Sequence, residues 1–128
     1  VEHGGIPADL NFEGYPNSVC TSINSVVCHG IPSDDDVLKE GDIVSVDVGS
    51  TYKGYVSDAA RTYAVGEISK EAQHLIDATR ASFFAGLEFC KVGYRLSDIS
   101  HATRRSRITE DREEVRDLQA AWSLRSNR

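Results

Sequence analysis

The stretch from Gly41 to Val65, GDIVSVDVGSTYKGYVSDAARTYAV, constrains this chain more than any other. Ile43 to Val48 alternates in the manner of a half-buried strand, with Val44, Val46 and Val48 on one face and Ile43, Ser45 and Asp47 on the other. A second β-rich run follows from Tyr55 to Val65, and Gly54 with its polar neighbours supplies a turn between the two. The pattern predicts a hairpin. A turn centred between Tyr52 and Lys53 sets Asp47 directly opposite Asp58, with Cβ atoms roughly 4.5–5.5 Å apart, where two carboxylates repel. Three arrangements accommodate such a pair. One carboxyl holds a proton, as in acid dyads; or a cation neutralises both; or the turn differs slightly in length and leaves the aspartates on opposite faces as solvated charges. Hard divalent ions take carboxylate oxygens, and two of them about 3.5–4 Å apart form a hydrolytic centre that clamps substrate and activates water.

At 128 residues the chain is long enough for one domain with a core and too short for two ordinary ones. Its 40% apolar and 27% charged residues fit a soluble globular protein. A net charge of −6 argues against nucleic acid or an anionic membrane as the main partner. No apolar run approaches the ~20 residues of a membrane span, and no signal-peptide pattern opens the chain. Cys20, Cys28 and Cys90 are odd in number and lack zinc-type spacing, so they are expected to be free thiols in a reducing compartment, the cytoplasm. The charge is unevenly spread. Residues 1–102 carry seven Lys or Arg against fifteen Asp or Glu, whereas residues 103–128 carry seven basic residues, all arginine, against five acids. So abrupt a shift marks a boundary.

Along the chain, residues 1–16 are loop-like, with Phe12 and Tyr15 as apolar anchors among Gly and Pro. Ser18 to His29 is rich in strand formers and ends at Gly30-Ile31-Pro32. Asp34, Asp35 and Asp36 form a short charge run expected to be a solvated loop. A helix is expected from about Ser69, its N-cap, to Cys90. Ala72, Leu75, Ile76, Thr79, Phe83, Leu87 and Cys90 form the stripe that should lie on the sheet. Gly93 breaks that helix, a second starts near Leu96 with Ser97 as its N-cap, and Thr109 to Arg125 has a helical pattern. The expected fold class is α+β, an antiparallel sheet with a packed helix.

Three segments, SVCTSINSVVCHGIP, GDIVSVDVG and YVSDAARTYAVG, together resemble type I methionine aminopeptidase over about residues 1–102. The aspartate pair in its surroundings is shared with prolidases and aminopeptidase P, and the VCTSIN and VCHGIP portions single out the methionine enzyme. The resemblance implies half of a pita-bread (creatinase/aminopeptidase-like) fold and a cytoplasmic metalloprotease that excises the initiator methionine. Its substrate partner is then a peptide or a nascent-protein N-terminus. Asp47 and Asp58 match the first two ligands of a pair of divalent metal ions of the Mn, Fe, Co or Zn class. His29 matches the catalytic histidine that hydrogen-bonds substrate near the scissile amide. Cys20 and Tyr15 match positions lining the methionine side-chain pocket. Phe12 sits where many members have tyrosine, and Asp9 where several have a small or thiol residue.

Two departures qualify what is inherited. The family has a helix before the first residue seen here, and it completes five ligands with a later histidine and two glutamates whose motifs are missing from this sequence. His101, Glu110, Glu113 and Glu114 lack those surroundings and are not assigned as substitutes. The likeness stops at Ala102, so residues 103–128 are expected to be an Arg-rich, non-homologous tail, helical or disordered. The chain alone is therefore expected to hold a partial ligand set and to be weak or inactive. It is also expected to expose a sheet edge that invites self-association, including a second copy completing the fold. The rival reading is a non-catalytic protein-interaction module of the same fold.

Overall fold

The computed structural model describes residues 3–110. In chain order these form β1 (Ile6–Pro7), a single 3-10 turn (Phe12–Gly14), β2 (Cys20–Ile23), β3 (Ile43–Tyr52), β4 (Tyr55–Ala64), α1 (Lys70–Leu87) and α2 (Leu96–Glu110). The chain divides into two compact units, Val1–Gln73 and His74–Arg128.

β3 is the centre of an antiparallel sheet in the first unit. β4 pairs along one whole edge, from Ile43 opposite Ala64 to Tyr52 opposite Tyr55. The other edge is shared, with β2 paired from Cys20 opposite Asp47 to Ile23 opposite Val44 and β1 held at Ser50 and Thr51. Of the face expected to carry Val44, Val46 and Val48, Val44 is buried at 7% exposure, while Val48 stands 42% exposed. The hairpin turn, however, consists of Lys53 and Gly54, both left-handed with φ of 49° and 84°. Two-residue turns of this kind match the strand twist when both central residues have positive φ, and Gly at the second position adopts it without strain. The turn is thus centred one residue later than expected. Asp47 lies opposite Ala60 and Asp58 opposite Gly49, which corrects the expectation that the two aspartates oppose each other directly.

β2 is shorter than the run of strand formers suggests. Asn24 ends it in the left-handed region (φ 48°), where Asn is among the few residues tolerated. Its side chain ties the loop to the start of β3, donating to Asp42 Oδ1 at 2.8 Å and accepting from the Ile43 N–H at 3.0 Å. Asn24 and the Lys39 N–H together hold the Asp42 carboxyl below the usual carboxylate range. The exposed acidic run turns tightly on Ser33, whose Oγ and carbonyl oxygen accept from the Asp35 and Asp36 N–H groups.

Ser69 caps α1 as expected, its Oγ accepting from the Ala72 N–H at 3.1 Å. In the second unit the buried positions of α1 are Ser82 and Gly86, while Phe83 and Leu87 of the expected stripe stand 61% and 49% exposed. The reason is steric: a Cβ on Gly86 would collide with Thr103 Oγ1, so small residues let α2 come close there. α2 is capped at Arg95, whose N–H donates to Asp98 Oδ2 at 2.8 Å. This is the acid-to-N-cap half of a capping box, and it leaves Ser97 inside the helix rather than at its cap. α2 passes Ala102 unbroken. Glu113, Glu114 and the rest of the helix expected over Thr109–Arg125 lie outside the described residues. No helix among the described residues is long and apolar enough to cross a membrane.

Candidate functional site

Residues directly opposite on paired strands share a face, so Cys20, Asp47 and Ala60 form one row across β2, β3 and β4. The next row contains Gly49 and Asp58. Asp47 and Asp58 are therefore diagonal neighbours on one face, at about 7–8 Å between backbones, close enough for short carboxyls to meet. They do meet. Partial burial pushes the Asp47 carboxyl above the usual range, the charge of Asp58 and a hydrogen bond between the two side chains add to this, Asp9 adds further, and His29 opposes it. Two carboxyls this close repel when both are charged, and a proton on one or a cation between them relieves the repulsion. Opposite faces are excluded; a proton or a cation remains.

A third carboxylate borders this pair. Gly49 leaves the face open between Asp47 and Asp58, and a Cβ there would come within 2.9 Å of the Ala8 Cβ. Asp9 Oδ2 instead accepts from the Gly49 N–H at 3.1 Å. Among the described residues no three His, Cys, Asp or Glu side chains are arranged to hold an ion. Asp47 and Asp58 nonetheless fit a divalent cation as two of its ligands. They are hard oxygen donors on one face, and their mutual repulsion is what a positive charge would relieve.

The remaining expected site residues gather to different degrees. Cys20, opposite Asp47, is buried at 4% exposure; all three cysteines are free thiols. Tyr15 Oη lies 2.9 Å from the Gly30 carbonyl oxygen, to which it donates. Desolvation raises the Tyr15 pKa to about 12, with a hydrogen bond to Cys20 and the charges of Cys20, Asp9 and Asp47 contributing. Tyr15 and Cys20 thus form one wall beside the acid pair. His29 is exposed, takes a left-handed backbone (φ 54°), and lies within electrostatic reach of Asp47. Phe12, on the 3-10 turn, is 67% exposed. Asp9, named through the resemblance, reaches the site from a loop forty positions before Gly49. One contributor was not legible in the sequence: Ser22, one row along from Cys20, is a buried hydroxyl.

Comparison with known proteins places this arrangement. The model of metallopeptidase family M24 matches residues 1–115. The chain is 54% identical over 101 residues to a methionine aminopeptidase of Clostridium acetobutylicum, covering 79% of this chain and 40% of that protein. It is 48% identical over 101 residues to methionine aminopeptidase 1 of Mycobacterium tuberculosis, covering 79% and 38%. Among solved structures, methionine aminopeptidase from Rickettsia prowazekii superposes with a TM-score of 0.77 at 44% identity, over 82% of this chain and 42% of that one. A Xaa-Pro dipeptidase from Bacillus anthracis superposes with a TM-score of 0.63 at 32% identity, over 72% and 26%. The chain spans about 40% of the length of the curated relatives it matches. Its antiparallel sheet and two helices are part of the pita-bread fold of these neighbours, and the chain belongs to the metallopeptidase family M24.

Proposed function

We propose that this chain carries part of the active site of a cytoplasmic, metal-dependent aminopeptidase that removes N-terminal methionine from newly made proteins. The meeting of the Asp47 and Asp58 carboxyls on one sheet face, within reach of His29, carries the reading. The identity to methionine aminopeptidases supports it. Asp47 and Asp58 would hold divalent ions of the Mn, Fe, Co or Zn class; ions bound there supply water activation and polarisation of a peptide carbonyl.

The chain's own residues do the rest. The carboxylates give the face a negative potential that draws the free ammonium of a peptide. His29, exposed beside them, hydrogen-bonds the scissile amide and stabilises charge as it develops. Buried Cys20 and the Tyr15 ring form a wall suited to an unbranched thioether, since sulfur packs favourably against aromatic edges. Phe12 adds apolar surface to the same wall. Tyr15 stays a neutral phenol at physiological pH because its pKa stands near 12.

The test is binding of the peptide Met-Ala-Ser in the presence of Zn²⁺, followed by NMR on the 128-residue chain. Shifts at Tyr15, Cys20 and His29 that vanish when the peptide is N-acetylated are expected; equal shifts with the acetylated peptide contradict the reading. With two carboxylate ligands among the described residues, turnover by this chain alone should be slight. Rapid divalent-dependent release of methionine by the purified monomer would show that two are enough.

A further inference from the structure

We propose that Ser22 is a positioning residue for His29. This rests on the reading above that His29 faces substrate, and the geometry around Gly30 carries it. His29 is a non-glycine residue in the left-handed region, with φ at 54°, a conformation that L-residues hold at a cost and that persists where the surroundings over-determine it. The residue after it ties His29 to β2. Gly30 lies flat on the outer side of β2, so close that a Cβ would collide with the Thr21 carbonyl oxygen and sit 3.1 Å from the Ser22 Cα. Both of its peptide groups are spoken for. Its carbonyl oxygen accepts from the Thr21 N–H at 2.9 Å and from Tyr15 Oη at 2.9 Å. Its N–H donates to Ser22 Oγ at 3.1 Å.

The last of these bonds sets His29. The N–H of Gly30 belongs to the peptide group that begins with the His29 carbonyl, so fixing it fixes that plane, the His29 Cα that lies in it, and ψ at His29. Ser22 is 5% exposed, so water has little access to replace its hydroxyl as the acceptor. Without Ser22 Oγ the Gly30 N–H would be left facing a buried side chain, and the peptide plane would be free to rotate about the His29 Cα–C bond, changing ψ at His29 and φ at Gly30. The imidazole would then swing away from Asp47, whose proton affinity it now lowers. The carbonyl bonds to Thr21 and Tyr15 pin the far side of Gly30 and leave this plane unset.

The experiment is NMR on the 128-residue chain. A fixed ψ at His29 gives one defined NOE intensity between its Hα and the Gly30 amide proton, and a bonded amide exchanges slowly. The wild-type chain should show both, at His29 and Gly30. Ser22→Ala should change the His29 Hα–Gly30 amide NOE and raise Gly30 amide exchange at least tenfold while the β3 amides stay protected; Ser22→Thr, which keeps the hydroxyl, should restore both. A folded Ser22→Ala that keeps the His29 NOE and the Gly30 protection overturns the proposal. Should Ser22→Ala not fold, Tyr15→Phe decides. Retention of both signatures without the Tyr15 bond supports Ser22, and their loss assigns the positioning to Tyr15 instead. None of these readouts needs metal or peptide, so their outcome is separable from failure of the peptide-binding test.

Discussion

The acid pair should cost the metal-free chain stability, and Asp58→Asn measures the cost. Asparagine keeps the size and a hydrogen-bonding group beside Asp47 but removes the charge that, after burial, does most to raise the Asp47 pKa. Two unit charges about 6 Å apart repel by about 0.7 kcal/mol in water and about 2.8 kcal/mol at an effective dielectric constant near 20. Asp58 is exposed and Asp47 half-buried, so the solvent-screened end of that range applies. A relief of about 0.7 kcal/mol corresponds to a rise of about 3–6 °C in the midpoint of a unit this size. The assay is thermal unfolding by circular dichroism at neutral pH, with and without Mn²⁺. An ion held with a dissociation constant of about 1 mM adds about 1.4 kcal/mol at about 10 mM, and this gain should appear in the wild-type chain and vanish in Asp58→Asn. The pH dependence has a fixed sign. The folded Asp47 pKa stands above the ordinary aspartate value, so the folded state binds the extra proton. This contribution to stability grows as pH falls through the folded pKa and is complete below the unfolded one; Asp58→Asn flattens it. A lower midpoint for Asp58→Asn, or an equal Mn²⁺ gain in both chains, would refute the reasoning.

Other perturbations have equally definite outcomes. Gly49→Ala would bring a Cβ within 2.9 Å of the Ala8 Cβ, so it should lift β1 and Asp9 from β3 at a cost of about 1–3 kcal/mol, seen as faster exchange of the Ala8 amide. Asn24→Ala removes the side-chain ties to Asp42 and Ile43 and places Ala in the left-handed region, lowering stability by about 1 kcal/mol or more. Asn24→Gly should lose less, and urea midpoints of the two variants give the comparison. Tyr15, with its pKa raised from 10.0 to about 12, should ionise last in an ultraviolet phenolate titration, and Tyr15→Phe should delete that step. Because the folded form holds the proton longer, stability falls as pH rises from about 10 to 12.

The faces of the hairpin were legible because period-two alternation fixes them, and moving the turn centre by one residue shifts the pairing by two and leaves every side chain on its face. That is why Asp47 and Asp58 still meet although the direct opposition was wrong. Choosing Lys53-Gly54 over Tyr52-Lys53 required weighing the positive φ at both turn positions, where Gly is favoured at the second. Ser69 was legible as a cap by its residue type; Arg95 was not, since the cap bond there comes back from the Asp98 carboxylate. The length of β2 was hidden because the residues after Asn24 remain strand formers, and one left-handed asparagine overrides them. Ser22 carries no mark in sequence that separates it from any other strand serine. Its meaning comes from Gly30 folding back onto β2.

Site-selective paramagnetic broadening tests the central claim most directly. Mn²⁺ added below one equivalent to the isotope-labelled chain should first erase the amide signals of Asp47, Asp58, Cys20 and Ala60, which share one patch of the sheet. The exposed run Asp34, Asp35 and Asp36 should be spared, and Asp47→Ala should abolish the effect. Broadening centred on that acidic loop, or spread evenly over the acids of the chain, would contradict a divalent-cation site on β3 and β4.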